Sequence, residues 1–437
     1  MKGVVCLALA MIGVAAGARA QDPSRAEPAD GTIEQLVATA LERSPELRAA
    51  RASVTAATGQ LTQAGLRPNP TLSASQMFMT GEQHLALFEV EWPLDLFRRP
   101  ARVATAQRTI ESTTLSVQDR ERLLAAMVRQ QAGRLLAARR SVDIMTEGLT
   151  AASRTRELLD ARVTEGEIPK LDANIAGVEA GRIEADLAIA QADAEAAAIE
   201  LKALVGLPAN APLVLRESLE DIVRAQASPA PSALPAQPAL PALPALIAMR
   251  SDIREATARV AVADARVDQA RRDGRWDMSL TGNYGREAYG FAQRGFDASG
   301  RLVPVQGNFH SIEIGANLIL PLRNRNQGAI AAAEAERGGE QEVLAARQLT
   351  AQAEIDAATA RDREAQRAVD LYANGIRDLA RQNVDVQLEA YDLGRTPLTD
   401  LLAEQRRYLD VEAGYTSALE RAYVARVALR RARGEIR

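Results

Sequence analysis

The chain has 437 residues, of which 47% are hydrophobic, 25% charged and only 3% aromatic. Lys and Arg number 53 against 57 Asp and Glu, a formal net charge of −4. With no basic patch standing out, this balance argues against a nucleic-acid partner. The Ala-rich, aromatic-poor make-up suits long helices packed through small side chains better than a globular core.

The first twenty residues read as a secretory signal. Lys2 supplies the positive start, Val4 to Ala16 the short apolar stretch, and Ala18-Arg19-Ala20 a small-x-small cleavage site. Cleavage before Gln21 leaves 51 basic and 57 acidic residues, a net charge of about −6. The only cysteine, Cys6, lies inside this segment, so the expected mature chain has no disulfide and no thiol metal site. It also sits too near the start to be a lipoprotein cysteine. No later stretch of about 20 apolar residues exists, so a membrane location requires a β-barrel.

Two repeats follow, expected at 21–226 and 247–437. A Pro/Ala-rich linker at 227–246 joins them, and its six prolines from Pro229 to Pro244 resist helix. Ser44-Pro45-Glu46 answers to Ser251-Asp252, and Pro70-Thr71-Leu72-Ser73 to Trp276-Asp277-Met278-Ser279. Glu46 to Asp252 and Ser73 to Ser279 are each 206 positions apart. Later, Pro93 and Pro321, Pro169 and Pro397, and Asp172 and Asp400 are each 228 apart. The 22 extra residues fall between Ser279 and Leu320, around Gly282–Gly307, and read as a longer loop.

Each repeat reads helix, strand, loop, strand, long helix, break, helix. In the second, Met278, Leu280, Gly282 and Tyr284 share one strand face, with Ser279, Thr281 and Asn283 on the other. On the return strand Ile312, Ile314, Ala316, Leu318 and Leu320 oppose Glu313, Gly315, Asn317 and Ile319. In the first, Ala86, Phe88, Val90 and Trp92 oppose Leu85, Leu87, Glu89 and Glu91. This pattern fits a lipid-facing barrel wall or a water-exposed hairpin with one buried face.

Leu94 to Glu165 and Leu322 to Leu393 read as helices about 108 Å long. Gly31 to Leu66 and Pro169 to Val205 read as helices of roughly 54 Å, so two stacked end to end match one long helix. Four strands cannot close a barrel, and open sheet edges cannot face lipid, so membrane strands require several chains to share one barrel.

The chain resembles the TolC-like outer-membrane factor family, in particular its branch for heavy-metal efflux of the cobalt-zinc-cadmium type. The resemblance runs from about Thr32 to the end. It rests on Ser44-Pro45-Glu46-Leu47-Arg48, Gly65-Leu66-Arg67-Pro68-Asn69-Pro70, Trp92-Pro93-Leu94-Asp95-Leu96-Phe97, Ala101-Arg102-Val103-Ala104, Ala203-Leu204-Val205-Gly206-Leu207-Pro208 and Tyr391-Asp392-Leu393-Gly394-Arg395-Thr396-Pro397. It implies a mainly α fold, internally duplicated, whose four strands per chain close a 12-stranded barrel in a homotrimer. A helical tunnel runs into the periplasm, and the linker lies in a belt around it. The implied partners are outer-membrane lipid, a periplasmic adaptor and an inner-membrane RND-type transporter, with divalent heavy-metal cations exported. Drug efflux and type I protein secretion are alternatives on the same fold. A soluble periplasmic coiled-coil scaffold is an alternative of another class. No nucleophile and base pair, phosphate loop or metal-ligand set suggests an enzyme, and no cofactor is implied.

The resemblance also implies a constriction at the helix breaks. Asp400 and Asp172 begin the helices after the two breaks. They read either as acids ringing a gate or as ordinary complements to the helix dipole, with Thr396 as cap and Pro397 first in the helix. Tyr391 and Arg395 match the family's tyrosine and basic gate positions, Arg395 within one residue. Where many members carry a second acid this chain has Ala403, with Glu404 next. His84 and His310, the only histidines, read as loop or headgroup-level residues rather than metal ligands.

Overall fold

A computed structural model describes residues 29–79, 83–227 and 243–435. The proposed signal and most of the proposed linker lie outside these residues. Among the described residues ten helices and six strands run in the order β1 (Ala29–Gly31), α1 (Ile33–Arg43), α2 (Pro45–Gly65), β2 (Thr71–Met79), β3 (Gln83–Pro93), α3 (Arg98–Thr164), α4 (Lys170–Val205), β4 (Leu213–Leu215), α5 (Leu219–Ala227), α6 (Leu243–Met249), α7 (Ser251–Asp273), β5 (Asp277–Phe296), β6 (Leu302–Ile319), α8 (Gln327–Leu371), α9 (Arg377–Asp392) and α10 (Leu398–Ala432). A π-helical segment, Tyr372–Ile376, joins α8 to α9. None of the described helices is long and apolar enough to cross a membrane.

The two halves share one plan. α3 has 67 residues, a rod of about 100 Å. Its counterpart is not continuous. The proline-free run is interrupted where Asn374 and Gly375 leave helical backbone angles. Neither residue favours helix, and Gly does so least, so this is where the rod gives. The helix expected over 31–66 also divides. Pro45 has no N–H to donate and disfavours helical angles at Ser44, which sits at ψ 122°. The Ser44 hydroxyl then caps α2 by accepting from the Leu47 N–H at 3.4 Å. At the start of α1, Thr32 and Gln35 form a reciprocal capping box. Within the range taken as linker, α5 reaches Ala227 and α6 begins at Leu243.

Four antiparallel strands form one sheet in the order β2-β3-β5-β6. The register sets Phe88 opposite Tyr284, Glu89 opposite Asn283 and Val90 opposite Gly282, so the alternation of each strand adds up across the sheet. The extra residues of the second half are not a loop. They lengthen β5 to 20 residues and β6 to 18, against 9 and 11 for β2 and β3. Beyond the Ala288–Asn308 pair, β5 and β6 continue as a two-stranded arm with an irregularity between Gly290 and Arg294. His310, read from the sequence as a loop or headgroup-level residue, lies inside β6 opposite Arg286, and His84 lies inside β3.

The core sits at mid-length. Leu36, Val128, Ala132, Leu135, Leu201, Leu419 and Val427 are buried together there, beside a two-stranded parallel sheet of β1 and β4. Fully burying each Leu or Val contributes on the order of 1.5–3 kcal/mol. Away from this belt the helices pack in pairs, α3 on α4 and α10 on α9, and α9 has no buried residue.

Candidate channel site

The two breaks lie at one end of the molecule, and their turns are built alike. Gly166 and Gly394 follow the ends of α3 and α9 with φ of +77° and +69°. Glycine enters this left-handed region without the Cβ clash that penalises other residues. The N–H groups of Glu167 and Arg395 donate back to the carbonyls of Arg162 and Ala390, each at 2.9 Å. Next in each turn stands a proline in extended conformation, Pro169 or Pro397. These prolines are the N-caps of α4 and α10, and neither provides a side-chain cap. Pro397 is thus the cap and not the first helical residue. The Thr396 hydroxyl lies buried without a hydrogen-bond partner instead of capping α10.

Asp172 and Asp400 take the same place, the third residue of their helices, and their N–H groups donate to Pro169 and Pro397 at 3.1 Å. With no side-chain cap before them, these carboxylates face the positive helix ends. Asp400 and Arg395 are exposed. Tyr391 is half-buried against a cluster that includes Leu159, Ala173, Leu398 and Leu401. It therefore helps tie the two hairpins together at this end. Glu404 is ion-paired with Arg407 one turn on in its own helix. The structure thus groups Tyr391, Arg395 and Asp400 around one turn, and sets Asp172 in the matching turn of the other hairpin.

Two ion networks steady α10 farther from this end. Glu179 of α4 is held by Arg182 and by Arg406 of α10. Burial pushes the Glu179 carboxyl up, but the hydrogen bonds from Arg406 and Arg182 outweigh it and leave it below the usual carboxylate range. Nearer the core, Glu412 binds Arg377 at 2.8 Å and Arg140 at 3.1 Å. Both cations lie over the Tyr415 ring, at 4.3 and 5.3 Å from its centroid. Tyr372 of the π segment packs closely on α10 at Gly414, where an added Cβ would stand 2.6 Å from its hydroxyl oxygen. A cavity of about 620 Å³ opens beside this network between α3, α9 and α10. None of these residues drew attention in the sequence. Their partners are up to 272 positions apart, and only Asn374-Gly375 within a proline-free run marked the place.

The sheet has two unlike faces. One carries Leu72, Phe78, Phe88, Val90, Trp92, Leu280, Ile312, Ile314 and Leu318, all exposed. The other, over the paired residues 71–78, 84–93, 277–289 and 307–319, carries Glu89, Glu91, Asp277, Glu287 and Glu313 with Ser, Thr and Asn, together with the apolar Met77, Leu85, Leu87, Phe309 and Ile319, and no Lys or Arg. His84 and His310 lie on the apolar face, with the His310 Nδ1 2.7 Å from the Tyr284 hydroxyl. Among the described residues no cluster of His, Cys, Asp or Glu could hold a metal ion.

A model of the family described as outer membrane efflux protein matches residues 36–207 and 242–435. The chain belongs to this family. Its members are transport channels rather than enzymes, trimers whose β-barrel crosses the outer membrane above a helical periplasmic tunnel. This channel's four-stranded sheet and long helices are the corresponding parts. Among solved structures, CusC is similar at a TM-score of 0.73 and 18% identity, covering 92% of each chain. The outer membrane protein VceC from Vibrio cholerae gives 0.70 and 20%, covering 92% of this chain and 96% of its own. The MtrE channel of Neisseria gonorrhoeae gives 0.71 and 19%, covering 93% and 90%. No curated protein sequence matches the chain significantly.

Proposed function

We propose that this outer-membrane efflux channel carries divalent heavy-metal cations, working with a periplasmic adaptor and an inner-membrane RND-type transporter. The polar face of its sheet carries the proposal. Glu89, Asn283 and Glu313 are neighbours across three strands, and the Glu91 carboxylate accepts from the Ser279 hydroxyl at 2.6 Å. With the apolar face toward lipid, this face lines the conduit. Three chains then present fifteen carboxylates, Asp277 included, and no cationic side chain over the same paired positions. Such a wall attracts cations and repels anions without binding any one of them tightly.

At the periplasmic end, Asp400 from three chains forms an acidic ring, with Asp172 outside it and Tyr391, Arg395 and Glu404 shaping its surroundings. The test is the reversal potential of the reconstituted trimer in a gradient of a divalent chloride. Cation preference in the wild type, reduced in Glu89→Gln/Glu313→Gln, supports the reading. A wild type preferring chloride removes it. A cell lacking the channel that stays as metal-resistant as its parent would reassign the cargo.

A further inference from the structure

The four junctions between helix and strand all lie at the same end of the sheet, the periplasmic boundary of the barrel. Each brings arginine there. Arg67 follows α2, Arg98, Arg99 and Arg102 open α3, Arg275 follows α7, and Arg323 and Arg325 precede α8. Only Asp95, Asp273 and Asp277 offset these seven, a local balance of +4 in a chain whose total is −4.

Some of these cations have work within the protein. Arg102 binds Asp95 at 2.7 Å, Arg98 lies 3.7 Å from Asp277, and Arg99 donates to the Gly65 carbonyl at 2.6 Å. Arg67, Arg275, Arg323 and Arg325 have no carboxylate within salt-bridge distance among the described residues, and all four are exposed. Arg275 rests its guanidinium over the Phe97 ring at 5.9 Å, and Phe97 packs edge-on against Trp276.

A cleft of about 560 Å³ opens at this level. Arg98, Asp273, Arg275 and Arg323 give it a polar side, and Leu320 and Leu322 an apolar side. Both leucines are exposed, Leu322 by 76%, in continuity with the apolar face of the sheet. Trp92 and Trp276 stand exposed at the same boundary, where amphipathic rings favour the headgroup level.

We propose that this cleft binds the headgroup of an anionic phospholipid in the periplasmic leaflet of the outer membrane. The Arg275 and Arg323 guanidinium groups face its phosphodiester, Arg325 adds charge at the rim, and Leu320 and Leu322 take the first part of an acyl chain. A planar guanidinium suits phosphate oxygens through paired hydrogen bonds. The leucines select a lipid over free phosphate. Three copies form a basic belt directly beneath the apolar band and fix the depth of the barrel in the bilayer.

The test is native mass spectrometry of the trimer equilibrated with equal amounts of phosphatidylglycerol and phosphatidylethanolamine. The wild type should retain phosphatidylglycerol in excess, by roughly fivefold for each contributing charge. R275Q/R323Q/R325Q should lose that excess, while R363Q, which removes an exposed arginine of α8, should keep it. If the triple variant does not assemble, R275Q alone and the fall of wild-type retention between 50 mM and 500 mM salt take its place. Equal retention of both lipids by the wild type, or an undiminished preference in the variants, overturns the proposal. So does displacement of phosphatidylglycerol by inorganic phosphate at matched concentration, which would make the cleft a phosphate site.

Discussion

Asp400 and Asp172 have the same backbone setting, so a helix-dipole role predicts the same behaviour for both. Each would contribute about 0.3–1 kcal/mol to its helix and nothing to ion passage. A gate role predicts a difference, because Asp400 stands beside Tyr391 and Arg395 while Asp172 belongs to the other hairpin. Asp400→Ala should therefore lower cation preference in a planar bilayer and leave the trimer intact, and Asp172→Ala should change it less. Unchanged selectivity in Asp400→Ala would leave the acid as a dipole complement only. Glu412 makes a second residue-scale case. Its side chain is 6% exposed, and it holds Arg377 and Arg140, which are 28% and 24% exposed. Replacing it with Ala leaves two partly buried cations without their shared acid. The expected loss is about 2–3 kcal/mol, less than for a fully buried pair because water reaches both arginines. Denaturant unfolding measures it, and a loss under 0.5 kcal/mol would mean that the cations find other partners, Glu220 being near both.

At the scale of elements, the duplicated order of helices and strands was legible because period-2 alternation and proline placement are local signals. The alternation of Ile312, Ile314, Ala316 and Leu318 against Glu313, Gly315 and Asn317 gave β6 its faces correctly. The same reading mistook Gly285, Gly290, Gly295 and Gly307 for loop, whereas pairing between β5 and β6 recruits these residues into strands. The π break was equally hidden, since Asn374-Gly375 is a weak breaker and what fixes it is packing against α10. The breaks at the end away from the sheet were legible from Gly394 and Pro397, but the packing of Tyr391 was not, because its neighbours include residues of α3 and α4 as well as α10. The arm leads to a prediction. Excising 289–307 removes the whole arm, eight residues of β5 and six of β6 with the turn between them, and leaves Ala288 and Asn308 as a two-residue turn that closes the Glu287–Phe309 pair, so trimers should form. Deleting Gly285 alone, inside the paired region, shifts one side of β5 by a residue against both neighbours and turns its side chains to the wrong face. Heat-modifiable trimers on a gel should survive the first deletion and vanish in the second. Survival of both would show that β5 and β6 need no fixed register.

At the scale of the whole molecule, the two ends answer to different solvents. The helical end depends on ion pairs, and its acid sensitivity follows from them. Glu34 is lowered by its hydrogen bond from Arg129. In Asp252, hydrogen bonding and charge from Arg250 outweigh the burial that pushes it up, and Glu179 behaves likewise. A carboxyl lowered in the folded state adds stability above its unfolded pKa and loses it as pH falls through the folded one. Stability should thus be flat from pH 8 to 6 and decline below about 4.5, more gently in Glu179→Gln. An unchanged profile in that variant would mean its ion pairs contribute nothing. The sheet end depends on lipid. Four strands with free edges at β2 and β6 are stable in a bilayer only when three copies close one barrel, so any change that bars the sheet from lipid also prevents assembly. Ile314 is 85% exposed in the single chain, on the apolar face, opposite Gly282. An arginine facing hydrocarbon near mid-depth costs about 2–4 kcal/mol, and three copies roughly triple that. Ile314→Arg should therefore abolish heat-modifiable trimers in membranes. Asn283→Arg, one position away across β5 but on the polar face between Glu89 and Glu313, should assemble normally and lose cation preference. If both variants assemble, the apolar face is not the lipid face. If Asn283→Arg alone fails, the two faces are assigned the wrong way round.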